Sequence, residues 1–233
     1  MEDKGGGPLL DSTIAARIVL AFQSRPTALQ ARLPAPWQVT ATPAGANLVV
    51  IFNDVWLNQD ASGRAAPDAV NRYVGFVTPA KHPESGEEAS LNFRIFTAHP
   101  DSLPGKYRTA RPATIRREQE VRSEDLTTTV SERFTFQIPD GGLVDLRLKY
   151  VGGVPTHAAG RARVRSAADP AILRVYHVDQ LVYVVRDVPK GIDRVQDLRV
   201  DVTVPELRDL FDGSERLISI TVSPHYFRQV YGK

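Results

Sequence analysis

Runs in which apolar and polar residues alternate recur along the chain, and β-branched and aromatic residues are concentrated in them. A period of two puts successive side chains on opposite faces of an extended backbone, so these runs bury one face as strands of a sheet. The pattern marks residues 16–24, 48–57, 72–78, 90–98, 126–138, 143–151, 172–185, 198–203 and 217–222. Turn chemistry separates them at Gln59-Asp60-Ala61-Ser62-Gly63, Pro83-Glu84-Ser85-Gly86, Pro139-Asp140-Gly141-Gly142 and Gly152-Gly153-Val154-Pro155. Two short helices are predicted. One covers 26–33, with Pro26 in its first turn and Ser24 as cap; the other covers 204–211, with Thr203 as cap, Glu206 at the third position and Gly213 just past the end. No internal repeat or long linker divides the chain. The expectation is a mainly β (β-rich α+β) single domain over 13–233: an antiparallel sheet curled into a barrel or cone around an internal cavity, with a few short flanking helices. Residues 1–12 are expected to form a flexible N-terminus.

Composition removes several classes of function. Lysine and arginine nearly balance aspartate and glutamate, for a net charge of +2, and the signs are interspersed. Nucleic acid and anionic membranes select one-sided positive fields, so neither is expected as a partner. The chain has no cysteine, which excludes disulfides, thiolate nucleophiles and cysteine metal sites. Its polar, glycine-rich start has no secretory h-region, and no run reaches the roughly 18 apolar residues of a membrane span. A cytoplasmic protein fits these features. His82, His99, His157, His177 and His225 lack metal-ligand spacing, and there is no Gly-x-Ser-x-Gly, phosphate loop or dinucleotide fingerprint. No metal or cofactor is expected.

Several motifs in order resemble the acetoacetate decarboxylase-like superfamily. They are Ala28-Leu29 followed by Pro34-Ala35-Pro36, Leu48-Val49 through Phe52 to Asp60-Ala61-Ser62-Gly63, Gly105 spaced to Pro112, Leu146-Arg147-Leu148-Lys149, and Ile220-Thr221-Val222-Ser223-Pro224-His225. Each is weak alone; their shared order and spacing make the resemblance specific, and it spans almost the whole chain. It implies a curled β fold around a hydrophobic cavity, often in an oligomer, and a small-molecule substrate or ligand.

The resemblance also implies a reaction, and here the sequence departs from it. The family's Schiff-base lysine and the lysine after it fall on Ala113 and Thr114. Such a lysine needs a depressed pKa to act as a nucleophile, and acetoacetate decarboxylase is itself the standard illustration of that activation. The family's early arginine falls near Ala15, two residues from Arg17 on the same strand face. Its two glutamates fall near Asn53/Asp54 and Asp68/Ala69. The resulting expectation is acid–base or electrostatic chemistry on a small or medium oxo acid or polyketide-like metabolite: decarboxylation, isomerisation or cyclisation through an enolate. Arg111, Arg17 and Arg94 are the candidate anion stabilisers and Asp54 or Asp68 the proton carrier. Lys106, Asn71, Tyr73 and His177 are further substrate-binding candidates, His177 because it alternates in phase with Leu173, Val175, Leu181 and Tyr183. Ala113 is expected to face the cavity. Two other readings stand beside this one: a Schiff-base decarboxylase using Lys106, and a non-catalytic small-molecule-binding β-barrel.

Overall fold

The computed structural model describes residues 7–67, 69–101 and 107–232. Among them the strands are β1 (Leu9–Gln23), β2 (Gln38–Val39), β3 (Leu48–Asp60), β4 (Asn71–Lys81), β5 (Glu88–Thr97), β6 (Ala110–Pro112), β7 (Thr114–Glu124), β8 (Thr127–Gln137), β9 (Leu143–Val151), β10 (Thr156–Ser166), β11 (Leu173–Asp187), β12 (Ile192–Asp193), β13 (Val195–Val202) and β14 (Arg216–Gly232); the single α-helix is α1 (Pro26–Gln30). The large sheet runs β4-β3-β1-β14-β11-β10-β5, and β4 also pairs with β5, which closes it into a ring. All contacts in the ring are antiparallel except β10 with β5. A second sheet, β13-β9-β8-β7, is an antiparallel layer packed on the outside of the ring.

Alternation divides the ring's side chains between two cores. On β1, Ile18, Leu20 and Phe22 enter the layer between the sheets, whereas Ala15 and Arg17 face the interior of the ring. On β3, Leu48, Val50 and Phe52 go to the interlayer core, while Val49, Ile51 and Asn53 point inward. Phe52 meets Phe134 and Phe136 of β8 at 5.6 and 6.0 Å between ring centres. Full burial of a phenylalanine contributes roughly 1.5–3 kcal/mol, so this aromatic layer is a main tie between the sheets.

The mainly β architecture, curled sheet and few helices agree with the sequence expectation, while the local boundaries differ for physical reasons. β1 already begins at Leu9, where Leu9 pairs with Tyr231 and Asp11 with both Val230 and Asp60. The helix at 26–33 is one short turn; Ser24 Oγ donates to the Leu210 carbonyl 3.1 Å away instead of capping it. At 204–211 only a 3-10 turn over Pro205–Leu207 forms, because Thr203 Oγ1 is spent accepting from the Leu143 amide at 2.9 Å. β14 continues well past Val222. Pro224 is tolerated within it because the pairings with β1 and β11 shift register there, so its missing N–H falls in a bulge.

Candidate functional site

The ring encloses a chamber of about 340 Å³. Val49, Ile51, Val77, Ile95 and Val164 give it apolar walls, and its polar groups come from all seven strands of the ring and the segment before β6. Arg17 on β1 donates from Nη2 to Gln180 Oε1 at 2.9 Å and lies over the Tyr226 ring at 4.0 Å. Ser223 Oγ donates to the same Gln180 oxygen at 2.9 Å. Among the described residues, no carboxylate pairs with Arg17.

A second guanidinium, Arg228 on β14, is 7% exposed and stacks over Tyr176 at 4.7 Å. Its Nη2 donates to Thr13 Oγ1 at 3.1 Å. Burial opposes its charge, yet Tyr73, Tyr176, Tyr226 and the buried Asp11 around it outweigh that opposition. The Nε–H groups of both arginines lack a hydrogen-bond partner.

Tyr107 and Tyr176 touch through their hydroxyl groups. Burial, then the neighbouring Tyr176, holds the Tyr107 phenol well above its ordinary pKa, and burial likewise raises Tyr176 and Tyr73. These phenols therefore stay protonated and act as hydrogen-bond donors near neutral pH. Asn92 is fixed by Thr109 Oγ1, which donates to its Oδ1 at 2.6 Å. The chamber opens beside β10. That strand pairs with β11 from Thr156 to Arg165 but with β5 only over Val164–Ser166, and the lining residues Gly160 and Ala162 are exposed.

No family model and no curated protein matches the sequence. Solved structures do match. An acetoacetate decarboxylase-like enzyme from Sphingomonas wittichii RW1 superposes with a TM-score of 0.61 at 12% identity, over 96% of this chain and 91% of that one. The enduracididine biosynthesis enzyme MppR, in complex with the condensation product of pyruvate and imidazole 4-carboxaldehyde, gives 0.58 at 10%, over 99% and 90%. The acetoacetate decarboxylase of Legionella pneumophila gives 0.51 at 13%, over 97% and 86%. This chain has the acetoacetate decarboxylase-like fold.

Within that fold the candidates from the sequence separate into different places. Arg17 and Tyr73 line the chamber. Asp54 projects from the opposite face of β3 into the interlayer space, where it is 2% exposed and paired with Arg72 at 2.7 Å and Arg117 at 2.6 Å. Asn71 is buried at the start of β4 and accepts from Thr97 Oγ1 at 3.0 Å. Arg94 and Arg111 are brought together, but in an outer hollow; Arg94 pairs there with Glu206 at 2.7 Å and donates to the Thr109 carbonyl at 3.1 Å. Burial depresses the Arg94 pKa despite Glu206, and Arg111 adds to the depression.

His177 lies on the face of β11 away from the chamber, against the Tyr231 ring at 4.6 Å. The chamber takes the other phase of β11: Tyr176, Val178 and Gln180. Ala113 is buried in the interlayer core and is not part of the chamber wall, contrary to expectation. Asp68 and Lys106 lie outside the described residues.

Arg228, Tyr107, Tyr176, Tyr226 and Gln180 escaped sequence reasoning. Tyr226 and Arg228 carry a legible signal, an i, i+2 pair on one strand face, but it lies beyond the proline that marks an apparent strand end. Tyr107 sits in a segment without apolar alternation, so periodicity gives it no strand face.

Proposed function

We propose that this chain is an enzyme that decarboxylates a small or medium β-oxo acid in the ring chamber, without a Schiff base. The observation that carries the reading is Arg17, a guanidinium facing an apolar-walled chamber beside protonated phenols, with no carboxylate partner among the described residues. A cation so placed favours an anionic ligand. MppR has been solved in complex with pyruvate, which supports an oxo acid as the ligand class for this fold.

The polar groups in the chamber favour decarboxylation over proton abstraction. Among its described lining residues there is no carboxylate, histidine or lysine, so the chamber offers acids and no general base. Loss of CO2 from a β-oxo acid needs no base. The bond between the carboxylate carbon and the α-carbon breaks, the electron pair moves to the ketone oxygen as an enolate, and a proton is then delivered to the α-carbon. Arg17 compensates the single negative charge before and after this shift. The phenols of Tyr107 and Tyr176 donate hydrogen bonds to the oxygen on which the charge arrives, favouring the transition state over the bound substrate. One of them supplies the proton to carbon and is reprotonated from solvent.

Incubating the protein with a panel of 13C-carboxyl-labelled β-oxo acids and following labelled CO2 by NMR tests this. At least one acid is expected to turn over, with Tyr107→Phe lowering kcat by about 10–100-fold and Arg17→Met raising KM. Acids that bind and return unchanged would mean a binding barrel. A borohydride-reduced adduct on Lys106 would mean the Schiff-base route.

A further inference from the structure

We propose that a pocket between the ring and the four-stranded sheet is a second small-molecule site, for a neutral, ring-bearing compound whose hydroxyl group hydrogen-bonds Glu132. This proposal goes beyond the reading of the chamber and does not depend on it. The pocket holds about 340 Å³ and opens on the other face of β1, with Ala16 and Ile18 in its wall; the Arg17 guanidinium is turned toward Gln180 and Tyr226 in the chamber.

The polar floor of the pocket is incompletely served. Behind the pocket wall, Asp54 Oδ2 accepts from Arg117 at 2.6 Å and from the Trp56 indole N–H at 3.0 Å, while its Oδ1 is ion-paired with Arg72 at 2.7 Å without a hydrogen bond. Glu132, 5% exposed, receives one short bond, from Gln119 Nε2 at 2.5 Å, and only long ones from Arg117 Nη2, at 3.3 and 3.4 Å. Both oxygens thus have a partner, but Oε2, which accepts a single long bond, keeps room for a further donor. A hydroxyl group reaching Glu132 supplies that donor.

Charge and shape narrow the ligand class. Asp54 and Glu132 against Arg72 and Arg117 sum to zero, so a charged ligand would enter this interior without a counter-ion. Phe134, Tyr150 and Tyr183 present aromatic walls that suit a flat ring. At the mouth Trp56 is 43% exposed, Val121 55% and Leu126 103%, and all three line the pocket. Three large apolar side chains left in water around one opening mark a surface that an apolar body covers.

Calorimetric titration with 2-naphthol, 2-naphthoate and 2-naphthylmethylammonium tests the proposal. Saturable binding of the naphthol is expected, tighter than either charged analogue, and weakened at least about tenfold by Glu132→Leu. Val121→Trp fills the mouth from an exposed position, keeps the fold and is expected to abolish binding; a ligand in the ring chamber would ignore it. The proposal is overturned by absence of saturable naphthol binding, by unchanged binding in Val121→Trp, or by preference for a charged analogue.

Discussion

Arg117 stands between two acids, 2.6 Å from Asp54 and 3.3 Å from Glu132, with its guanidinium 5.2 Å from the centre of the Phe134 ring. Its side chain is 14% exposed and that of Asp54 only 3%, so the pair sits where water screens it little. Removing the cation would leave Glu132 with Gln119 alone and Asp54 with Arg72 and Trp56. Breaking a buried pair from one side costs about 3–5 kcal/mol, because an uncompensated charge remains. Arg117→Met is therefore expected to lower unfolding stability by that amount in urea titration, and a loss under about 1 kcal/mol would show that the network carries no such strain. At this scale the sequence was partly legible. Asp54 could be singled out, but alternation alone did not say that Asn53 faces the chamber and Asp54 the interlayer. Arg117 had no signal, since β7 reads Thr-Ile-Arg-Arg-Glu-Gln-Glu-Val-Arg-Ser-Glu and is mostly exposed.

The hairpin joining β8 and β9 shows how much of an element local chemistry specifies. Pro139-Asp140-Gly141-Gly142 was legible as a turn, and both glycines have positive φ, 103° and 87°. Gly142 carries a further constraint that only packing imposes: a Cβ there would lie 2.8 Å from the Thr203 carbonyl oxygen and 2.8 Å from Val204 Cα. Gly63 has a similar φ of +81° with nothing within 4 Å. Gly63→Ala is expected to cost about 1 kcal/mol for backbone strain alone, and Gly142→Ala clearly more, about 2–3 kcal/mol, as the contact with β13's end is forced apart. Thermal melts of the two variants compare them directly; equal Tm losses would remove the packing argument. Other elements were opaque for a stated reason. β10, Thr-His-Ala-Ala-Gly-Arg-Ala-Arg-Val-Arg-Ser, has almost no apolar alternation and is held by backbone pairing with β11, a contribution that side-chain patterns do not report. The second half of β14 was hidden behind Pro224 because a proline in a strand signals an edge or an end until a bulge is seen to absorb it.

Taken as a whole, the molecule holds two acids whose pKa shifts oppose one another in sign: Glu132, between the layers, and Glu87, which pairs with β10 within the ring. Burial, then Asp54, holds the Glu132 carboxyl above its ordinary value of 4.5, even though Arg117 and Gln119 act against the rise. The folded state thus binds its proton more tightly than the unfolded chain, and the stability contributed by Glu132 is full below about 4.5 and lost as pH rises through the folded value. Glu87 behaves oppositely: burial would raise it, but Arg165 and Arg163 overcome that and bring it below 4.5, so its contribution is present at neutral pH and lost in acid. Urea midpoints measured from pH 4 to pH 8 should therefore show the stability of Glu132→Gln rising relative to wild type as pH increases; a difference that stays flat with pH would refute the linkage. The sequence by itself determined the β-rich class, the main turns and the absence of cysteine chemistry, because periodicity, turn residues and composition act locally. Tertiary structure alone decided ring closure, which phase of each strand meets the chamber, and the meeting of Arg17 with Gln180 or Arg117 with Glu132. Those outcomes depend on register between distant strands, and a shift of one residue exchanges the chamber face for the interlayer face.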